Sequence, residues 1–183
     1  FAVTGCLLRL SRRNEAWWFS PDGRLVTNYL KHFMAPPERE FVAGNEFPVN
    51  DIAGVRYGIA ICKDMHFASL GRGYGQRRAR VMLVPAWDFN TDAWMAANMT
   101  KLRGIENGYV VVRSARNGLL SVSDGFGRML AVERSARLPG TTLFATVPVP
   151  PSTSIAPVTI EGPEIEVNEM SPPSPPVTTP SPP

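Results

Sequence analysis

Three short apolar runs, 55–61, 81–85 and 109–113, are separated by two stretches of helical length, 67–80 and 92–107. Runs of that size bounded by Gly, Pro and Asn read as buried strands, and the longer segments between them as helices. The second helix candidate carries Trp94, Asn98, Leu102 and Ile105 at spacings of three or four, with Asp92 placed to cap it and Gly108 to end it. Further strands are read over 1–10, 16–19, 119–124 and 128–132, with Ser20-Pro21-Asp22-Gly23 as a hairpin turn and Gly125-Phe126-Gly127 as another. The pattern predicts a layered domain of α and β structure. No internal repeat is visible.

That pattern stops near Pro150. Eleven of the eighteen prolines lie from there to the end, four Glu stand among them, and Lys and Arg are absent. Such a segment has too little apolar surface to offset the entropy of ordering, so 150–183 is predicted to be a disordered proline-rich tail after a folded domain over 1–149. The division of charge follows the same boundary. The whole chain carries a formal +3, and removing the four tail glutamates leaves 19 basic against 12 acidic groups, or +7, on the body. Those charges are scattered and carry no aromatic-basic repeat, so they read as a solvated surface and not as a nucleic-acid site. No apolar run reaches the roughly 18 residues of a membrane-spanning helix. The chain opens on Phe1 without an initiator Met or a signal-peptide start, and is read as beginning inside a longer protein.

Two cysteines offer neither a disulfide framework nor a metal pattern. They differ in setting. Cys6 lies inside an apolar strand, whereas Cys62 ends the run Gly58-Ile59-Ala60-Ile61 and is followed by Lys63, Asp64 and a predicted helix. A thiol at the C-terminal end of such a strand stands at the usual mouth of an α/β site. A neighbouring cation raises the thiolate fraction, and Lys31, Lys63 and Arg56 are available. By itself a lone cysteine is still most often a small buried hydrophobe.

The surrounding blocks decide between these readings. Tyr29-Leu30-Lys31-His32-Phe33 with Pro36-Pro37-Glu38-Arg39-Glu40, then Gly58-Ile59-Ala60-Ile61-Cys62, then Arg103-Gly104-Ile105-Glu106-Asn107, resemble three successive blocks of the nitrilase, or carbon-nitrogen hydrolase, superfamily. The resemblance implies a four-layer α-β-β-α sandwich whose N-terminal part is missing here. It implies Cys62 as nucleophile, Lys31 as the catalytic lysine and Glu38 as the second glutamate, ahead of Glu40. The stretches 112–118, 124–128 and 140–148 look like the end of the catalytic domain in the apolipoprotein N-acyltransferase branch. The implied chemistry is acyl transfer or amide hydrolysis through a cysteine thioester, with no metal or organic cofactor. Implied substrates are a small molecule, a phospholipid or a lipoprotein. Membrane association through segments outside this chain, an extracytoplasmic site in the acyltransferase case, a cytoplasmic one for a soluble amidase, and homo-oligomers are all compatible with kinship.

Lys63, Asp64, Trp87 and Trp94 are the remaining candidates for contact with substrate. Lys63 would contribute a backbone amide at the oxyanion. Asp64 serves equally well as a cap to the helix after Cys62, and Trp87, Trp94 and Phe89 serve as pocket wall or as core. His32 and His66 read as packing or surface residues, and Arg103 with Glu106 as an i, i+3 pair. The chain departs from the family in three places. The general-base glutamate belongs upstream of the blocks quoted, and Glu15, read as lying in a charged turn, does not replace it. Lys63 and Asp64 stand where the acyltransferase branch usually has Tyr and Glu. Pro148 leads into the proline-rich tail where that branch leads into a membrane helix. A non-catalytic relative therefore stays among the readings.

Overall fold

The computed structural model describes residues 2–8, 11–135 and 140–149; the proline-rich segment from 150 onward lies outside the described residues. The first three strands, β1 (Ala2–Leu8), β2 (Arg13–Phe19) and β3 (Leu25–Leu30), form an antiparallel sheet in that order. The predicted turn joins β2 to β3, with Gly23 at φ 81° and its amide donating to the Ser20 carbonyl at 2.9 Å. β2 begins earlier than the apolar run suggested. Glu15 therefore sits in a strand and not in a charged turn, is 3% exposed, and accepts bonds from Arg13 Nη1 and Trp17 Nε1.

The second sheet has six strands in chain order: β4 (Val49–Ile52), β5 (Val55–Ile59), β6 (Val81–Trp87), β7 (Val110–Arg116), β8 (Leu119–Ser123) and β9 (Met129–Arg134). β4 was not legible as an element, because Val49-Asn50-Asp51-Ile52 is half polar and short. Its hairpin is nonetheless encoded by Ala53-Gly54, both at positive φ, as a tight two-residue turn requires. β5, β6 and β7 run parallel, and the outer pairings are antiparallel.

Parallel neighbours need crossovers, which are right-handed, so two successive ones in the same direction lay their helices on one face. These are α1 (Ala68–Gln76) and α2 (Ala93–Asn107). α1 is shorter than the predicted 67–80, since Arg78 turns to φ 58° and Ala79 bonds back to the Tyr74 carbonyl. Side-chain alternation then divides the sheet. Ala60, Met82, Val84 and Val111 face the helices with Met65, Leu70, Tyr74 and Tyr109, while Val81, Leu83, Val110 and Val112 point to the other side. Strands buried on both faces explain why their sequences are continuously apolar.

The small sheet lies over that other face. Ala16 and Tyr29 pack with Ile59 and Ile61, and a Cβ on Gly5 of β1 would stand 3.2 Å from the Pro85 side chain of β6. Trp18 is 1% exposed and meets Tyr57 edge-on with ring centroids 5.7 Å apart. Fully burying an apolar side chain of this size stabilises by about 1.5–3 kcal/mol. Helices, six-stranded sheet and three-stranded sheet give three of the layers of an α-β-β-α sandwich among the described residues.

Candidate functional site

β5 hands its chain through Ala60 and Ile61 to Cys62, which takes φ 47° and opens a 3-10 helix, Cys62–His66. A left-handed conformation at a residue with a Cβ costs roughly 1–2 kcal/mol, so the surroundings must impose it. They do so reciprocally: the Asp64 amide donates to the Ile61 carbonyl, and the Ile61 amide donates to Asp64 Oδ2, each at 3.0 Å. The elbow turns the thiol towards the intersheet space. Its Sγ lies 3.6 Å from the carbonyl of Trp87, at the end of β6.

Lys31 follows β3 directly. Its amide bonds the Asn14 carbonyl and its own carbonyl receives the Gly44 amide, so the backbone is tied on both sides. The side chain is 2% exposed, and Nζ lies 2.6 Å from Glu38 Oε2. Glu38 ends a short 3-10 helix, Pro36–Glu38, and also accepts from the Ala35 amide and from Asn14 Nδ2. Burial pushes the Glu38 carboxyl up, but the Lys31, Ala35 and Asn14 donors outweigh it and hold the group below the usual range. The pair thus exceeds the exposed ion pair that spacing alone would suggest.

These residues line one cavity of about 1210 Å³ between the sheets. Cys62, Lys31, Glu38 and Asn14 stand on its wall with Trp87, Phe89 and Arg116, and Val3, Trp18, Tyr57, Leu83 and Val112 make much of the rest apolar. The Arg116 guanidinium lies over the Trp87 ring, 4.5 Å from its centroid. Of the carboxylates on that wall, Glu40 is exposed and 3.5 Å from Arg12.

Three residues expected near substrate are placed elsewhere. Asp64, 0% exposed, faces the protein interior and not the cavity, because its carboxylate is taken up by backbone and tyrosine donors. Lys63 is absent from the cavity wall. Trp94 is 63% exposed on the outer face of α2, which buries Ala93, Ala96, Ala97, Thr100, Arg103 and Gly104 instead. Asp92 stands at the N-cap, yet its carboxylate accepts from the Phe89 amide upstream. Arg103 and Glu106 form the anticipated pair at 2.7 Å.

Sequence reasoning missed Asn14, buried in a run of charges with no periodic signal, and the Asp88–Arg113 ion pair, whose partners are 25 residues apart. Among the described residues no cluster of His, Cys, Asp and Glu could hold a metal ion, and no helix is long and apolar enough to cross a membrane.

The carbon-nitrogen hydrolase family model matches residues 4–140, a span that includes Asn14, Lys31, Glu38 and Cys62. The chain belongs to the carbon-nitrogen hydrolase family. Solved structures of an amidase from Nesterenkonia sp. AN1 share its nitrilase-type fold. One, a variant showing Michael addition of acrylamide at the active-site cysteine, superposes with a TM-score of 0.61 at 22% identity, over 74% of this chain and 56% of that one. Another, a variant carrying the acetamide moiety of fluoroacetamide on the cysteine, gives 0.58 at 23% identity, over 66% and 51%. Among curated proteins, apolipoprotein N-acyltransferase of Borreliella burgdorferi is 24% identical over 148 residues, 65% of this chain and 28% of the relative. This carbon-nitrogen hydrolase chain thus spans about half the length of the amidases and under a third of the acyltransferase.

Proposed function

We propose that Cys62 is the nucleophile of an enzyme that transfers an acyl group through a thioester, most closely in the manner of an apolipoprotein N-acyltransferase. The observation that carries this is Cys62 at its left-handed elbow, opening onto the same apolar-walled cavity as the buried Lys31–Glu38 pair. In the first half-reaction Sγ bonds the carbonyl carbon and the bond from carbon to the leaving oxygen or nitrogen breaks. The thiol proton passes by way of a base to the leaving group. Lys31, whose ammonium stands on the cavity wall beside Cys62, stabilises the oxyanion as charge develops. In the second half an amine takes the acyl group, or water releases it as an acid.

Glu38 is committed to three donors and holds its charge against Lys31, so it orients the lysine and is poorly placed to take the proton. The base is assigned to the family's glutamate upstream of these blocks. The blocks at 112–118 and 140–148 and the acyltransferase relative favour transfer to an amine. The likeness to amidases favours a second reading, amide hydrolysis.

The test uses the full-length protein with phosphatidylethanolamine vesicles and, separately, with butyramide, followed by mass spectrometry of the peptide containing Cys62. An acyl adduct on Cys62 that disappears in Cys62→Ala supports the nucleophile. Transfer from lipid to a peptide with a lipidated N-terminal cysteine selects the acyltransferase, and ammonia release from butyramide selects the amidase. A protein that turns over either substrate unchanged after Cys62→Ala overturns the assignment.

A further inference from the structure

We infer that Asp64 is a positioning residue that sets the lysine and the cysteine of the site against each other. This deepens the thioester reading above and rests on it. The Asp64 carboxylate is 0% exposed and receives four donors, two on each oxygen. Oδ1 accepts the amides of His32 and Phe33 at 3.1 and 2.8 Å; Oδ2 accepts the Tyr29 hydroxyl at 2.8 Å and the Ile61 amide at 3.0 Å. Tyr29, His32 and Phe33 bracket Lys31, and Ile61 immediately precedes Cys62. One buried group therefore ties together two segments about 30 residues apart, each at the residue beside a reacting side chain.

The clamp is matched to two acceptor oxygens: three of the four donors are backbone amides, which cannot accept, and only the Tyr29 hydroxyl can reverse its role. Burial outweighs the Phe33, Ile61 and Tyr29 donors and holds the carboxyl above its ordinary value. An Asn of the same shape would aim its N–H₂ either at the His32 and Phe33 amides or at the Ile61 amide, none of which can accept, and loosen the segment that carries them. The ring of His32 stacks on Tyr29 with centroids 5.3 Å apart and bonds the Glu46 carbonyl at 2.8 Å, which holds the tyrosine in register for this bond. Neither Tyr29 nor Asp64 lines the cavity, so both act only through Lys31 and Cys62.

The experiment follows p-nitrophenolate release from p-nitrophenyl butyrate by the full-length enzyme in a stopped-flow instrument. Burst amplitude counts competent sites, and burst rate reports acylation at each of them. Asp64→Asn should slow the burst per site on the order of 10- to 100-fold, as a misplacement near 1 Å does, with the substrate concentration at half-maximal burst rate almost unchanged. Tyr29→Phe removes a single donor and should slow it less, by about 3- to 10-fold. A purely structural role would lower the amplitude and leave the rate per site alone, and that result overturns the inference. If Asp64→Asn does not fold, Tyr29→Phe decides: a wild-type burst rate sinks the proposal. Release of p-nitrophenolate that is unchanged in Cys62→Ala sinks the thioester reading itself, a failure distinct from the first.

Discussion

Arg113 and Asp88 form an ion pair in which both side chains are 1% exposed, joining β7 to the segment that follows β6. Arg113 Nη1 also donates to the Leu119 carbonyl at 2.9 Å, so the pair closes the β7–β8 turn as well. Asp88 directly follows Trp87, whose carbonyl meets the Cys62 thiol. A side chain at Gly118 would collide with the Asp88 carboxylate, which is why that turn carries a glycine.

Removing one partner of a buried pair strands the other charge away from water. Arg113→Met should lower the unfolding free energy by about 3–5 kcal/mol, and the double variant Arg113→Met, Asp88→Leu should recover part of the loss. Denaturant unfolding of the three proteins measures it. Single and double variants equal to wild type would show that the pair is indifferent to stability.

Lys31→Ala separates an oxyanion donor from a structural lysine. Loss of such a donor costs on the order of 100- to 1000-fold in turnover. Lys31→Arg retains charge but replaces a compact ammonium with a wider planar fork that misplaces the donor, so it should also be slow. A folded Lys31→Ala enzyme with near-normal turnover would remove lysine from the site.

Acid should act in two windows. His66 is held below its ordinary value of 6.5, first by burial and then by Lys63 and Arg113, so the folded state resists its protonation. Its contribution to stability is present above pH 6.5 and is lost as pH falls below that. Glu38, held below 4.5, likewise contributes above 4.5 and loses its contribution as pH drops through its folded value. Unfolding midpoints of wild type and Lys31→Met should diverge least under the most acidic conditions, where Glu38 is protonated in both. A constant difference down to about pH 2 would contradict the assignment.

The left-handed elbow predicts an inverted ranking at Cys62. Glycine adopts φ 47° freely, whereas alanine retains the Cβ strain, so Cys62→Gly should be more stable than Cys62→Ala by about 1 kcal/mol. In a helix or strand the order would be the reverse. Thermal melts of the two inactive variants compare them directly, and an alanine variant that is the more stable would mean the elbow relaxes once the thiol is gone.

The sequence by itself determined the strands with two buried faces, the helices between them, and Cys62 at a strand end, because those features rest on local chain chemistry: apolar runs, turn residues and caps. It also carried the Lys31, Glu38 and Cys62 blocks through resemblance. What only the tertiary structure decided is which side chains meet. The stripe of Trp94, Leu102 and Ile105 on α2 reads as a core face, yet it points outward. The helix lies close to the sheet: a Cβ on Gly104 would already be 3.0 Å from the Tyr109 carbonyl and the Val111 side chain, so the buried face is Ala, Thr and Gly, with Arg103 as its one large residue beside Gly71 of α1. Asp64 sits two residues from the cysteine and reads equally as cap or substrate contact. Its four donors come from two segments brought together by the packing of one sheet on the other, and no spacing along the chain encodes that meeting.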